Sequence, residues 1–501
     1  RVEPRRAMAS VVVTGASVSS VWTGRDRASR KRRASTTRRR RGWTRAALAG
    51  GAEEAAAAAA TAAATAGRAL GVVAVGVGAY LRVRKCRKGG SDDGGGRDRE
   101  NRTAMTRGTG TSDDSKGRKY LIAPPPLFPL VPAFERQTYR YEVDPGRMWF
   151  FEQKQGIGLG LNVSVNVRMT VIKLKTGGLW VYAPVAPTKE MVALLDELDA
   201  PVEHVVLPTT LFEHKIFVGP FQRKYPKAQC WIVPQQWSWP VNLPPQFFGI
   251  NKTGILGQDP TPWDDEFEVE LLRPPALGVA SYVSFIEAAI FHKPSKTLLV
   301  TDAVVYVSEN IPDCIPDRDL EESGDDDNFT ISALKFLNLF DIKTKAKNRT
   351  TSSKDMNQEE LLRLGWQRNA LQALYFGPND LLSPEQSWSE ITNRLIVAPV
   401  VGTLVYENVP KPVNEWAKRV ARWNFDRIVP CHFDAPIRAG PREFVSAFSF
   451  LPSSRPEKAG RRRGGAYYPN EDMILLRGVA DFLLNAGVIF TDETRPKRPN
   501  I

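Results

Sequence analysis

Residues Asn162–Ile172 read NVSVNVRMTVI. Polar and apolar side chains alternate there with a period of two, which an extended strand sorts onto opposite faces. The expectation is a strand with one buried face. Thr176-Gly177-Gly178 supplies a turn, and Leu179–Ala183 (LWVYA) reads as the returning strand of a hairpin. Thr188 then stands as the N-cap of a helix over Lys189–Leu198, whose Met191, Leu194, Leu195 and Leu198 share one face. A switch from strand to helix period over so short a stretch means a sheet that buries one face under helices.

The same alternation recurs downstream. His204–Leu207 (HVVL) reads as a strand, followed by a loop through His214, a short helix around Phe217–Tyr225 and a strand over Ala228–Val233. Ser284–Phe291 and Thr297–Thr301 form a second hairpin across His292-Lys-Pro-Ser-Lys. Glu359–Phe376 is helical and stops at Gly377-Pro378. Val413–Trp423 is helical, with Trp416, Val420 and Trp423 spaced to share a face. Arg427–Pro430 is a strand that delivers Cys431-His432, and Met473–Leu484 is a closing amphipathic helix. Tyr120–Ala133 is apolar but too rich in proline for a helix. The pattern predicts one α/β domain over residues 120–495, with a mixed sheet, helices on its faces and a tail at 496–501.

The first 119 residues have a different texture. They hold about 27 Lys/Arg against about 10 Asp/Glu, a local charge near +17, so the remainder of the +14 chain is about −3. The basicity belongs to this segment, and no nucleic-acid footprint is expected on the folded part. Three readings are open for it. One is an organelle-targeting segment, rich in Arg, Ser, Thr and Ala, which would place the protein in the plastid. A second is a basic arm for nucleic acid or nuclear import. The third is membrane association through residues 55–81, where Arg68 interrupts two apolar stretches that are each too short to span a bilayer.

Several chemistries are excluded by motif. The chain has no Gly-x-x-x-x-Gly-Lys-Ser/Thr loop, no Gly-x-Ser-x-Gly elbow and no His-Glu-x-x-His helix. Gly156-Ile-Gly158-Leu-Gly160 precedes a strand and not a helix, so it offers no helix N-terminus to a phosphate and reads as strand entry. Asp325-Asp326-Asp327 lacks the spacing of a calcium loop. Four cysteines, none spaced Cys-x-x-Cys, argue against a zinc ribbon or a disulfide framework. Three strand ends do carry metal-capable groups: Glu213 and His214 after the first HVVL strand, Asp302 after TLLVT, and His432 after RIVP. Strand ends of an α/β sheet are where sites form, and imidazole with carboxylate suits zinc or iron. His204, at the start of a strand, and His292, in a turn, are not expected among the ligands. Cys431 is expected to be a small buried residue.

The order of these pieces resembles the metallo-β-lactamase superfamily, whose first motif is a strand ending in Thr-His-x-His-x-Asp-His. Pro208-Thr-Thr-Leu-Phe-Glu-His214 stands in that slot, Thr301-Asp302 matches the later Gly-Asp, and Cys431-His432 matches the final Gly-His. The segments LFEHKIFVGPF, FHKPSKTLLVTDAV, GWQRNALQALYFGP and NFDRIVPCHFDAPIRAGP are similar to an uncharacterised bacterial, algal and plant family, domain of unknown function 4336. That resemblance implies an αββα four-layer sandwich of mixed sheets, and brings no known reaction.

The chain departs from the superfamily pattern. Thr209 and Leu211 replace its first two histidines, Glu213 replaces its aspartate, and no histidine falls near Gly278–Ser284 where a middle one belongs. A two-metal hydrolytic mechanism is therefore not expected. In the superfamily pattern the residues matching His214, Asp302 and His432 all serve the second metal. The expectation is one zinc or iron on these three, with Glu213 as ligand or general base, in a metal-dependent hydrolase or oxidoreductase acting on an unidentified small molecule or protein. The alternative is a metal-free pseudoenzyme serving as a binding or scaffold domain.

Overall fold

The computed structural model describes residues 106–109, 115–121, 130–132, 134–157, 163–238, 242–275, 284–337, 351–375, 377–378, 380–452, 471–485, 489 and 491. Residues 55–81 and 278–283 lie outside them. Among the described residues no helix is long and apolar enough to cross a membrane.

The first sheet contains β1 (Thr106–Thr109), β2 (Leu130–Val131), β3 (Thr138–Asp144), β4 (Met148–Ile157), β5 (Val163–Lys173), β6 (Leu179–Tyr182), β7 (Val202–Leu207), β8 (Gln229–Ile232) and β9 (Gly254–Ile255). Its order is β1-β3-β4-β5-β6-β7-β8-β9, with β2 paired to β4. Strands β3 to β6 run antiparallel, and β6 to β9 are parallel. The second sheet joins β10 (Phe267–Leu272), β11 (Glu287–His292) and β12 (Thr297–Leu299) to two later strands. A small ribbon of β13 (Val305–Tyr306) and β14 (Leu395–Ile396) intervenes in the chain before β15 (Arg427–Val429) and β16 (Ile437–Arg438). The second sheet's order is β10-β11-β12-β15-β16, with β12 and β15 parallel.

Strand periodicity builds the layers. In β4, Phe150 points into the core between the sheets, while Trp149 and Phe151 point outward. The inner core joins Phe150, Trp180, Tyr182 and Val206 of the first sheet to Ala288, Ile290, Leu299 and Val429 of the second. Outside the first sheet lie α1 (Lys189–Asp196) and α3 (Val218–Lys224), while the short α2 (Phe212–Lys215) follows β7 at the strand ends. Met191, Leu194 and Leu195 of α1 and Val218 and Phe221 of α3 seal that face. The Thr188 hydroxyl accepts the Met191 amide at 3.0 Å, so the cap read from sequence is present.

A side assembly follows β13: α4 (Asp317–Gly324), α5 (Phe329–Leu337), α6 (Gln358–Tyr375), α7 (Glu385–Ile391) and α8 (Pro399–Leu404). The outer face of the second sheet is covered by α9 (Pro410–Val420) and α10 (Pro441–Ala447), through Val413, Trp416, Val420 and Phe444; α11 (Ile474–Asn485) comes last. The result is helix, sheet, sheet, helix. Each fully buried aromatic or branched side chain in these layers contributes about 1.5–3 kcal/mol.

Three sequence expectations are corrected here. Strand β5 was expected to show one face to solvent, but Ser164, Asn166, Arg168 and Thr170 are all buried. Trp423 falls beyond α9, half-buried, with its indole N–H donating to Glu268 at 2.6 Å. Gly156 lies inside β4, paired with Ser164, and is not a strand entry.

Candidate metal centre

Three chain segments deliver the site. Strand β7 ends at Leu207, and Thr209 and Thr210 tie the following turn to the second sheet. The Thr210 hydroxyl accepts the Ile286 amide at 3.0 Å and donates to the Ser284 carbonyl at 2.8 Å. That turn launches α2, which carries Glu213 and His214. Asp302 follows β12, and His432 follows β15, its parallel neighbour, so both leave the sheet at the same edge.

Among the described residues, Glu213, His214, Asp302 and His432 each place one ligand atom so that all four lie within 4.8 Å of one another. His214 Nε2 is 3.4 Å from Asp302 Oδ2, and His432 Nε2 is 3.5 Å from Asp302 Oδ1. These are long for hydrogen bonds. They are close to the ligand-to-ligand edge of about 3.4 Å that a tetrahedral ion with bonds near 2.1 Å requires. His214 Nε2 and Asp302 Oδ2 are buried without a hydrogen-bond partner, so two donor atoms of the cluster have their lone pairs uncommitted. The donor set and the spacing fit one ion of the zinc or ferrous type. His214 forms the floor at 1 % exposure, whereas Asp302 and His432 keep 13 % and 12 %, so the cluster opens to solvent on their side.

The second ring nitrogens differ. His432 Nδ1 lies 2.8 Å from the Asn166 carbonyl oxygen. A carbonyl can only accept, so Nδ1 carries the proton and Nε2 turns its lone pair to the cluster. His214 Nδ1 has no such partner.

Asp302 is fixed by a residue that sequence reasoning missed. Glu287, buried in β11, accepts the amides of Thr301, Asp302 and Ala303 on one carboxylate oxygen, at 2.8, 3.1 and 3.0 Å. Its signal was present: it is the one charged residue in Phe285-Ile-Glu-Ala-Ala-Ile-Phe. Burial, then the nearby Asp302 charge, push the Glu287 carboxyl up to about 8, although the amides pull it down. Burial and Asp302 likewise raise Glu213. Burial raises Asp302 too, but the His214 and His432 rings beside it leave it below the ordinary carboxylate value. Burial lowers His214, and the neighbouring carboxylates more than restore it; His432 stays lowered by burial. Lys215, also missed, is buried beside the site, its ammonium donating to the Trp237 carbonyl at 2.5 Å, and burial brings it down to about 8.

Thr209 and Leu211, which stand in the slot of the first two histidines of the resembled motif, are used otherwise. The Thr209 hydroxyl accepts the Leu211 amide at 3.2 Å, and the Leu211 side chain packs into the core over the second sheet. Neither offers a ligand there. His204, within 3.4 Å of the Trp231 indole N–H, and His292, bonded to the Ser295 hydroxyl at 2.6 Å, lie outside the cluster. Cys431 is buried, and burial with the Asp302 charge holds its thiol well above the ordinary value.

Two face-to-face sheets flanked by helices, with Asp302 and His432 at neighbouring strand ends and His214 on the short helix after β7, define a protein of metallo-β-lactamase-like fold. The chain belongs to the domain of unknown function family DUF4336, whose model matches residues 145–385 and 382–450. No curated protein sequence matches it. Solved structures similar to it include a metallo-β-lactamase from Pontibacter korlensis, at 11 % identity over 62 % of this chain and 99 % of that one, TM-score 0.29. A metal-soaked Flv1 flavodiiron core from Synechocystis sp. PCC6803 aligns at 12 % identity over 72 % of each chain, TM-score 0.35. A flavo di-iron protein from Thermotoga maritima aligns at 11 % identity over 64 % of each, TM-score 0.32. The layers and strand order above assign the fold.

Proposed function

We propose that the protein is a mononuclear metal-dependent hydrolase, with His214, Asp302 and His432 holding one zinc or iron. The observation that carries this reading is the convergence of four ligand atoms, from α2 and two strand ends, within 4.8 Å. When bound, such an ion supplies Lewis-acid polarisation and activates a water nucleophile at neutral pH. Glu213, with its carboxylate in the cluster, would serve as general base beside such an ion or as a fourth ligand to it. Asp302, held by Glu287, keeps its two oxygens facing the two imidazoles. The partly exposed side of Asp302 and His432 admits a substrate, a small molecule or an exposed segment of a protein.

The test is metal content by elemental mass spectrometry on the full chain, beside the double variant His214→Ala/His432→Ala. About one zinc or iron per wild-type chain, absent in the variant, is the expected result. A wild-type chain that takes up neither ion when each is added would leave a metal-free binding domain, consistent with the other use made of Thr209 and Leu211. We also propose that residues 1–119 direct the protein to the plastid, on their excess of Arg, Ala, Ser and Thr.

A further inference from the structure

We propose that Asn166 and Arg168 of β5, backed by Glu152 of β4, are positioning residues that set the ring of His432 and thereby the affinity of the cluster for a divalent ion. This rests on the metal reading above. Every residue from Pro430 to Phe433 is gripped by these two side chains and their backbone. Arg168 Nη1 donates to the Pro430 carbonyl at 2.6 Å, and the Arg168 amide donates to the Cys431 carbonyl at 2.8 Å. The His432 ring donates to the Asn166 carbonyl at 2.8 Å. At Phe433 the Asn166 amide group closes a two-bond ring: its oxygen accepts the Phe433 N–H at 2.8 Å, and its nitrogen donates to the Phe433 carbonyl at 3.0 Å. Arg168 Nη2 reaches the same carbonyl at 2.6 Å.

This grip has a conformational reason. Phe433 has a φ of 59°, in the left-handed region that a bulky side chain rarely adopts, so the turn persists only where its surroundings hold it. Glycine would adopt that φ freely, but Phe433 is buried in the core beside Trp366, so the side chain is kept and the neighbours supply the restraint. Arg168 cannot swing away, because Glu152 accepts its Nε and Nη2 at 2.8 and 2.5 Å and both residues are 1 % exposed. The chain of restraint runs from a buried ion pair, through the Pro430 and Phe433 carbonyls, to the orientation of one imidazole. A ring so fixed presents Nε2 to Asp302 and to an incoming ion without a rotameric search.

The experiment compares the full wild-type chain with Asn166→Asp and Arg168→Lys, using cobalt(II) and zinc(II) as probes. Asn166→Asp keeps the shape but sets a carboxylate oxygen against the Phe433 carbonyl; Arg168→Lys keeps the charge but loses the fork. Calorimetric titration is expected to give an unchanged stoichiometry with affinity about 10- to 100-fold weaker in each variant. The cobalt visible spectrum is expected to change, and His432→Ala is expected to cost less affinity in the Asn166→Asp background than alone. Unaltered affinity and spectrum in both variants would overturn the inference. A second readout needs no variant: nitrogen NMR of histidine-labelled wild-type chain before any metal is added. His432 is expected as the Nδ1–H tautomer, and an Nε2–H ring would overturn the cradle. If that tautomer is found but the wild-type chain binds neither ion, the metal reading and the affinity effect fail together while the cradle itself stands.

Discussion

Among single residues, His292 tests the burial logic away from the proposed ion. It is fully buried at the end of β11, and burial, with Arg147 nearby adding to it, lowers its imidazole to about 4. The folded chain therefore favours the neutral ring over the ordinary value of 6.5. A depressed value means the contribution to stability is present above pH 6.5 and is lost as pH falls toward 4, because the unfolded chain takes the proton first. The loss from this group amounts to about 3 kcal/mol at most. His292→Gln is expected to flatten the acid limb of stability between about pH 6.5 and 4. Denaturant midpoints at a series of pH values measure it; identical limbs in the two proteins would refute the assignment.

For the elements, α4 and α6 of the side assembly meet closely at two glycines. A Cβ on Gly365 would sit 2.0 Å from the Leu320 carbonyl oxygen, and one on Gly324 would sit 2.5 Å from the Leu361 carbonyl oxygen. The two glycines let the helix backbones meet where no side chain fits, and the facing atoms are backbone and cannot rotate away. Arg368 of α6 then locks the same junction, donating to the Ser323 and Gly324 carbonyls at 3.2 and 2.7 Å. Gly365→Ala gains intrinsic helix propensity of about 1 kcal/mol but forces the helices apart. Overpacking of this kind costs about 1–3 kcal/mol, and here the rigid contact outweighs the propensity. A lower thermal midpoint is expected, whereas a surface glycine in a helix would gain stability by the same change.

At the scale of the molecule, charge is divided: a basic first quarter precedes a nearly balanced remainder. The two sheets are joined at the edge away from the cluster by a two-pronged pair, Arg427 of β15 to Asp144 of β3 at 2.8 and 2.6 Å. The end of the basic segment takes part in the fold, where β1 pairs with β3 and Arg118 Nε meets Glu190 at 3.1 Å. A full-length chain fused to a fluorescent protein is expected to enter the plastid of a photosynthetic cell, and a chain lacking residues 1–119 to stay outside. Nuclear or membrane-bound fluorescence from the full-length fusion would instead support one of the other two readings of that segment.

Much was legible in the sequence because it depended on local period and chain order. The Thr188 cap, the β5–β6 and β11–β12 hairpins and the long α6 follow from alternation, capping and stop signals that act over a few residues. That Asp302 and His432 stand together was legible for a similar reason, since residues that end neighbouring parallel strands emerge at one sheet edge; His214 follows β7 of the other sheet, and its approach to them is a matter of tertiary structure. Strands β3, β4 and β10 were not read; in β4 the run Met148–Gln153 is buried on both faces and shows no polar alternation to count. Nor could local pattern tell that the polar face of β5 turns inward. Asn166 and Arg168 look like solvent residues until the 430–433 turn folds onto them, and Glu287 looks like an error in an apolar strand until three amides converge on it. Sequence alone determined which groups stand at the ends of strands, because that is a matter of adjacency along the chain. Only tertiary structure decided which buried polar groups orient them, because a hydrogen-bond partner more than 260 positions away leaves no periodic trace.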